Sequence, residues 1–277
     1  MSPLLRSLVR LAKPILSRTL YRPGQRARIL FGPARGLRYR IFPGFGLAHL
    51  YGGWESDAQR AILPHIVPGG VAYDVGANYG LYTLLMARLV MPAGWVYAFE
   101  PMPPIHAELV RNVQLNQFDH VECIPKAVSD RTGTARFIVG HHAGAGYLAT
   151  GGRGSPGPTP STPSFDVEQI KLDDLIRQGA RPPTFIKVDV EGSEAAVLRG
   201  ARAILTKHRP VLLIELHTPA QDVAVGTLLK DLGYTARRVE KGKPPVLNLT
   251  SGWPNPNGLW GQIIALPAER VGGSATK

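Results

Sequence analysis

Short apolar runs alternate with amphipathic stretches along most of this chain. The runs have the length and β-branched content of buried strands, and the stretches between them have the spacing of helices. This pattern predicts strands at 71–75, 95–99, 120–125, 135–139, 184–190 and 210–216. It predicts helices near 80–91, 103–116, 193–206 and 220–232. Such alternation indicates a mostly parallel sheet with helices on both faces.

The two ends of the pattern complete the predicted fold. Two last strands, near 234–240 and 259–266, should close the sheet as an antiparallel edge pair. Ahead of the sheet we expect a short hairpin within 29–50 and a helix over Trp54–Leu63. The predicted fold class is therefore α/β, a doubly wound Rossmann-like sheet.

Residues 140–164 interrupt the alternation with seven glycines, four prolines and no carboxylate. This composition cannot bury enough apolar surface to order itself alone. The segment is either a flexible insertion or a lid that closes over substrate.

Charge is concentrated at the N-terminus. Residues 1–40 carry ten Lys or Arg and no acid, whereas the rest has 22 bases and 20 acids. Residues 3–20 have apolar positions at helical spacing, broken by Pro14. This basic arm is either an interfacial helix that touches anionic membrane or an acidic partner, or a solubilising lead-in.

Composition limits the broad class of the protein. Its 277 residues are 44% hydrophobic and 19% charged, as in an ordinary globular domain. The single cysteine, Cys123, agrees with a reducing compartment, and no apolar run approaches the length of a membrane helix. Charges interrupt the apolar N-terminal positions, so we expect no signal peptide and a cytoplasmic location.

The turn after the strand at 71–75 carries the first candidate chemistry. It reads Asp74-Val75-Gly76-Ala77-Asn78-Tyr79-Gly80, and Asn78 is placed to cap the helix that follows. The next strand delivers Glu100, 26 positions after Asp74, where an acid can accept the hydroxyls of a ribose. A glycine turn at the carboxyl end of a strand is typical of nucleotide sites.

Asp74 decides between two cofactors. A carboxylate here would repel the pyrophosphate of a nicotinamide dinucleotide, but it suits the cationic amino-acid end of S-adenosylmethionine. We therefore expect Asp74 to face the ammonium, Gly76 and Gly80 to admit the cofactor, and Glu100 to hold the ribose. Asn78 contacts the cofactor carboxylate or only caps the helix, and Ala127 lies against the adenine.

Four motifs resemble the FkbM family of S-adenosylmethionine-dependent methyltransferases. They are DVGANYG from Asp74, FEP from Phe99, IKVDVEGSEAAVLRGA from Ile186 and LLIELH from Leu212. The resemblance implies a methyltransferase domain over 51–270, preceded by the arm and hairpin (1–50) and followed by a tail (271–277). Members of this family modify sugars, polyketides and other metabolites.

The last two motifs should bring four polar side chains to one pocket: Asp189, Glu191, Glu215 and His217. Asp189 or His217 could act as a general base for a hydroxyl acceptor. Alternatively, two or three of the carboxylates could hold Mg²⁺, which we rank below a metal-free base. Glu194 is interpreted as complementing a helix N-terminus, and Lys187 as pairing with a carboxylate.

The predicted activity is O-methylation of a hydroxyl on a small molecule, sugar or glycan. Nucleic-acid methylation is an alternative suggested by the basic arm. It is disfavoured because Asp189-Val190-Glu191-Gly192 replaces the Asn/Asp-Pro-Pro-Tyr turn of amino-methylating DNA enzymes. A nicotinamide-dependent oxidoreductase is less favoured still. We expect no specific nucleic-acid partner, and the sequence leaves the oligomeric state open.

Overall fold

The computed structural model describes residues 22–44, 46–140, 146–149, 162–239 and 261–271. The apolar helical pattern at 3–20 and most of the 140–164 segment lie outside these residues. The hypotheses about an interfacial helix and a lid therefore stay predictions.

A seven-stranded sheet forms the centre of the domain. Its strands are β3 (Val71–Val75), β4 (Trp95–Phe99), β5 (Val121–Ile124), β10 (Phe185–Val188), β11 (Val211–Leu216), β12 (Tyr234–Arg238) and β13 (Gly261–Pro267). Their order is β12-β13-β11-β10-β3-β4-β5. The five strands from β11 to β5 are parallel, and β13 runs antiparallel to both β11 and β12. The predicted parallel sheet with an antiparallel edge pair is confirmed.

Helices cover both faces of this sheet. They are α1 (Leu47–Leu50), α2 (Ser56–Ile62), α3 (Leu81–Val90), α4 (Pro103–Leu115), α5 (Leu172–Arg177), α6 (Glu194–Gly200), α7 (Arg202–Lys207), α8 (Pro219–Asp231) and α9 (Ala268–Val271). One apolar core contains Leu84 of α3 and Leu109 of α4, and the other contains Leu198 of α6 and Leu229 of α8. The sheet separates these two cores because neighbouring strand residues point to opposite faces.

The helix predicted at 193–206 is two helices in the structure. It divides at Ala201, between α6 and α7. Gly200 packs so closely on the loop that contains Ser129 that an added Cβ would lie 2.0 Å from the carbonyl oxygen of that residue. This close approach is a tertiary feature that helical spacing alone does not reveal.

A second, four-stranded sheet contains elements that the alternation did not predict. It consists of β6 (Ala127–Val128), β7 (Gly133–Val139), β8 (Gly146–Leu148) and β9 (Ser164–Ile170), in the order β6-β9-β7-β8. Only β7 was expected from its sequence. β8 lies inside the Gly- and Pro-rich segment, where pairing with β7 supplies the order that the local composition lacks.

The N-terminal hairpin is packed on the domain. Its strands β1 (Arg26–Arg28) and β2 (Arg38–Arg40) pair antiparallel. The backbone N–H groups of Arg38 and Arg40 donate to the side-chain oxygens of Asn116 and Asn112, both at 2.8 Å. Tyr39 is 3% exposed and belongs to the same core as α3 and α4. The hairpin is thus part of the domain core.

Candidate active site

The turn after β3 is held against the end of β10. Gly76 has φ +78°, and an added Cβ would lie 1.8 Å from the backbone oxygen of Asp189. The N–H groups of Gly76 and Ala77 both donate to the Phe99 carbonyl, at 3.1 and 2.9 Å. Only glycine allows this conformation and this approach. The sequence analysis expected Gly76 to make room for the cofactor. The structure shows that it also allows the turn to pack against the backbone of Asp189.

Asn78 does not cap the following helix. The residue at the N-cap of α3 is Gly80, with φ +93°, and it makes no side-chain capping bond. Asn78 itself has φ +51°, and its side-chain oxygen accepts from the N–H of Tyr79 at 2.7 Å. The capping alternative was wrong because the left-handed turn delays the helix until Leu81.

Glu100 joins the turn to the end of β4. One carboxylate oxygen accepts from the Asn78 N–H and the other from the Met102 N–H, both at 2.9 Å. The residue is 5% exposed. Burial raises the pKa of Glu100 to about 7, against the opposing effect of the two N–H donors.

A first cavity, of about 70 Å³, lies beyond the ends of β3 and β4. Its walls include the turn, the loop after β5 and the strand β8, through Gly76, Asn78, Glu100, Lys126, Ala127, Tyr147, Asp189, Glu191 and Ser193. Four of the six residues predicted to bind cofactor therefore share one cavity: Gly76, Asn78, Glu100 and Ala127.

Asp74 lines neither this cavity nor the second one described below. It is fully buried, accepts from the Thr83 hydroxyl at 2.6 Å and lies 3.9 Å from Lys187 Nζ. Burial raises the pKa of Asp74, partly offset by Lys187 and Thr83. Asp74 is therefore not placed to contact a cofactor ammonium directly, as the sequence had suggested. Gly80 also faces the protein, since an added Cβ would lie 2.6 Å from Leu109.

Lys187 pairs with carboxylates, as its position in a buried strand required. Its Nζ donates to Asp189 Oδ2 at 3.0 Å and lies 5.0 Å from the centre of the Tyr82 ring. Burial would lower the pKa of Lys187, but the charges of Asp189 and Asp74 outweigh burial and raise it. The lysine therefore remains a cation inside the core.

The predicted acidic cluster is assembled around one nitrogen of His217. Its Nε2 lies 3.6 Å from Asp189 Oδ1, 3.5 Å from Glu191 Oε2 and 3.9 Å from Glu215 Oε1. The opposite nitrogen, Nδ1, lies 2.8 Å from Glu194 Oε1. Neighbouring parallel strands end at the same edge, and this brings Asp189 after β10 beside Glu215 of β11.

The protonation of this cluster follows from its charges. Burial would lower the pKa of His217, but the bond to Glu194 and the nearby carboxylates raise it to about 9. Burial would raise the pKa of Asp189, yet Lys187 and His217 hold it below its ordinary value. Burial, Asp189 and Glu55 raise the pKa of Glu215 to about 7. A protonated His217 cannot itself take a proton from a substrate.

A second cavity, of about 540 Å³, meets the first at Gly76, Asn78, Asp189 and Glu191. Its aromatic wall comes from the hairpin region and α3, through Tyr39, Phe42, His49, Trp54, Tyr79 and Tyr82. Glu55, Lys187 and Glu215 also line it. Its volume is in the range of small-molecule sites.

Three polar residues around the cluster were missed or underestimated. Glu194 is fully buried against His217, where a helix N-terminal role was expected. Glu55, which the sequence analysis did not single out, accepts from the Tyr82 hydroxyl and from Gln262 Nε2, both at 2.9 Å. Gln262, which also donates to Glu215 at 2.8 Å, carries no sequence signal because β13 pairs with β11 only in the fold.

Comparison with known proteins decides the family. The family described as Methyltransferase FkbM domain matches residues 74–236, more than half of the chain. This chain belongs to the FkbM methyltransferase family. The resemblance drawn from the four motifs is thus confirmed, and the protein is an S-adenosylmethionine-dependent methyltransferase.

Two curated relatives of this FkbM methyltransferase are similar over much of its length. One is the 31-O-demethyl-FK506 methyltransferase FkbM of Streptomyces tacrolimicus, 30% identical over 65% of this chain and 80% of the relative. The other is the hexuronic acid methyltransferase AglP of Haloferax volcanii, 27% identical over 64% of this chain and 68% of the relative.

Among solved structures, the methyltransferase FkbM from Methylobacillus flagellatus KT is similar to this chain, with 18% sequence identity and a TM-score of 0.46. It is matched over 71% of this chain and 43% of its own length.

Among the described residues of the present methyltransferase, none of the helices has the length and apolar character needed to cross a bilayer.

Proposed function

We propose that this methyltransferase transfers the methyl group of S-adenosylmethionine to a hydroxyl of a small molecule or sugar. The observation that carries the proposal is the wall shared by the two cavities. Asp189 and Glu191 line both, so a cofactor in the first cavity and an acceptor in the second would meet at these carboxylates. The transferred methyl would lie at that junction.

On the cofactor side, Glu100 would accept the ribose hydroxyls. Each of its oxygens receives one backbone N–H and keeps a second lone pair for a hydroxyl. Ala127 would lie against the adenine, and Asn78 near the methionine carboxylate. The ammonium would face Glu191 and the sulfonium would point to the junction of the two cavities, while Asp74 supports the turn through Thr83.

On the acceptor side, the cluster would hold the hydroxyl in line with the methyl carbon. Orienting two reactants in this way contributes about 7–11 kcal/mol in favourable intramolecular reactions. The oxygen–carbon bond forms as the carbon–sulfur bond breaks, and the sulfonium becomes a neutral thioether. The hydroxyl proton must leave, and one of the carboxylates around His217 would accept it.

The names of the two relatives support an oxygen acceptor. One is named for the substrate 31-O-demethyl-FK506 and the other for hexuronic acid, and both substrates carry hydroxyl groups. The aromatic and carboxylate lining of the second cavity suits a hydroxylated ring, because rings stack on aromatic faces while hydroxyls donate to carboxylates.

The test is methyl transfer itself. Purified protein with isotope-labelled S-adenosylmethionine should transfer label to at least one member of a panel of hydroxylated macrocycles, hexosides and hexuronates. Asp189→Asn should retain S-adenosylhomocysteine binding by calorimetry but lower turnover by about 10²-fold or more. NAD should not bind. Labelling of nucleic acid and of none of the hydroxylated compounds would overturn the proposal.

A further inference from the structure

We propose that Asp189, Glu215 and His217 form a binding site for one divalent metal cation that faces the acceptor cavity. The proposal rests on the proposed function for its chemical purpose, but not for its geometry. In the part of the chain that the structure describes, these three side chains are the single set of three or more that offers converging metal ligands. Their ligand atoms all lie within 4.8 Å of one another.

The spacing fits a first coordination shell. Asp189 Oδ1 and Glu215 Oε1 lie 3.6 and 3.9 Å from His217 Nε2. Ligands about 2.0–2.2 Å from a metal are roughly 3.0–3.5 Å apart, depending on the coordination angle. The ligand atoms lie within 4.8 Å of one another, so side-chain movements of up to about 1 Å would complete the site.

Each proposed ligand is held by a partner on its other polar atom. Lys187 Nζ donates to Asp189 Oδ2 at 3.0 Å, which leaves Oδ1 directed to the cluster. Gln262 Nε2 donates to Glu215 Oε2 at 2.8 Å, which leaves Oε1 directed there.

His217 is held in the same way, because its Nδ1 lies 2.8 Å from the fully buried Glu194 carboxylate. A carboxylate acceptor at Nδ1 fixes the N–H on that nitrogen, and a metal at Nε2 would displace the second proton of the imidazolium. This carboxylate–histidine–metal arrangement recurs in metalloproteins. The three partners that orient the ligands, Lys187, Gln262 and Glu194, are all buried.

The ligand set selects the class of cation. Two carboxylates with one imidazole and no thiolate favour a hard or intermediate divalent ion such as Mg²⁺ or Mn²⁺. Asp189 and Glu215 line the second cavity, so open coordination positions would face the acceptor. Glu191, 44% exposed in its side chain, stands beside them.

Such a cation would help to deprotonate the acceptor hydroxyl in the proposed reaction. Coordination lowers the pKa of a bound hydroxyl, as it does for bound water. The hydroxyl proton would pass to the Glu191 carboxylate, the oxygen would attack the methyl carbon, and the carbon–sulfur bond would break. No oxidant or further reactant is required.

Binding of Mn²⁺ to the full-length protein, without cofactor or acceptor, tests the proposed metal site. Calorimetry and the loss of the free Mn²⁺ electron paramagnetic resonance signal should both report one ion per chain. Pulsed resonance should detect the nitrogen coupling of one imidazole. Absence of binding, or binding without imidazole coupling, would overturn the proposal.

Variants locate the ion. Glu215→Gln should remove binding, and Gln262→Leu should weaken it by about 10–100-fold, the usual cost of losing a group that orients a ligand. Glu122→Gln is the matched control, since Glu122 is an exposed carboxylate on β5. Circular dichroism and thermal unfolding would verify that each variant is folded. Equal affinity in Glu215→Gln and Glu122→Gln would reject the site.

The two proposals fail separately. Methyl transfer that persists in EDTA, together with no Mn²⁺ binding, would overturn the metal site and leave the proposed reaction in place. Mn²⁺ binding that depends on Glu215, with no transfer to any hydroxylated acceptor, would sustain the site and count against the reaction.

Discussion

Glu100 illustrates how one side chain can serve both fold and site. Its two oxygens fix the turn at Asn78 and the backbone at Met102, yet it also lines the first cavity. Burial raises its pKa to about 7, so the carboxyl changes its charge near neutrality. Any ligand that needs the carboxylate must compete with a proton there.

The first prediction follows for cofactor affinity. In the proposed site, ionised Glu100 would accept both ribose hydroxyls above pH 7, and below pH 7 the added proton would have to leave first. S-Adenosylhomocysteine affinity should therefore fall as pH decreases from 8 to 6. At pH 8, Glu100→Ala should cost about 1.5–3 kcal/mol of binding free energy, the range for hydrogen bonds to charged groups.

Calorimetry across this pH range is the measurement. Glu108→Ala is a suitable control, because Glu108 lies on α4 and pairs with Arg40 away from the first cavity. Undiminished affinity in Glu100→Ala would remove Glu100 from the ribose site.

Cys123 gives a second prediction at this scale. The half-buried thiol is the chain's single cysteine, and burial raises its pKa to about 12 from 9. Because the thiolate is the reactive form, native protein at pH 8 should alkylate at least about 10²-fold more slowly than protein unfolded in urea. Mass spectrometry of iodoacetamide adducts over time measures both rates. Equal rates would show that this strand edge is open.

At the scale of elements, the turn after β3 and the end of β10 act as one unit. Gly76→Ala should destabilise the fold because a left-handed φ costs about 1–2 kcal/mol and the Cβ also meets the Asp189 carbonyl. Overpacking adds roughly 1–3 kcal/mol. Gly36→Ala is the matched control: its φ is +87°, and nothing lies within 4 Å of the added Cβ.

Urea unfolding of the two variants separates the cost of alanine at a left-handed φ from the cost of the Cβ clash with the Asp189 carbonyl. Gly76→Ala should lose more free energy of unfolding than Gly36→Ala, and it should also weaken S-adenosylhomocysteine binding. Equal losses would mean that the Asp189 carbonyl moves aside at little cost.

The sequence predicted elements best where local pattern and tertiary role agree. Buried parallel strands are continuous apolar runs, so β3, β4, β10 and β11 were found within a few residues. β9 was missed because Ser164–Ile170 mixes acids with apolar positions, and its order comes from pairing with β7, which is distant in sequence.

The same distinction applies to the site. Asp189, Glu191, Glu215 and His217 converge because parallel strands end at one edge, and this could be predicted. The buried positions of Asp74 and Glu194 could not, because burial depends on helices packed from elsewhere in the chain. The left-handed φ of Asn78 likewise depends on the turn as a whole.

At the scale of the whole molecule, the hairpin sets where the domain begins. Removing residues 1–21 should preserve folding and S-adenosylhomocysteine binding. Removing residues 1–41 deletes the buried Ile29, Leu37 and Tyr39, each worth about 1.5–3 kcal/mol of burial. That loss approaches the typical stability of about 5–15 kcal/mol, so the shorter protein should unfold at a markedly lower urea concentration.

Basic charge gives a further prediction at this scale. Six of the ten bases in residues 1–40 lie within 22–40, and Arg26, Arg38, Arg40 and Arg111 line a groove beside the hairpin. Vesicles of anionic lipid should retain the protein at low salt and release it as salt screens the charges. Arg26→Ala with Arg38→Ala should reduce retention, whereas Arg131→Ala with Arg177→Ala should not. Retention that is insensitive to salt would exclude an electrostatic contact.

Four of the six aromatic side chains in the wall of the second cavity come from a separate stretch of chain. Tyr39, Phe42, His49 and Trp54 all precede residue 74, where the family match begins, whereas Gly76, Asn78, Glu100 and Ala127 lie within it. If the two cavities hold acceptor and donor as proposed, recognition of the two substrates can diversify independently. A chimera that exchanges residues 39–55 with a relative should adopt that relative's substrate preference while it keeps its own affinity for the donor.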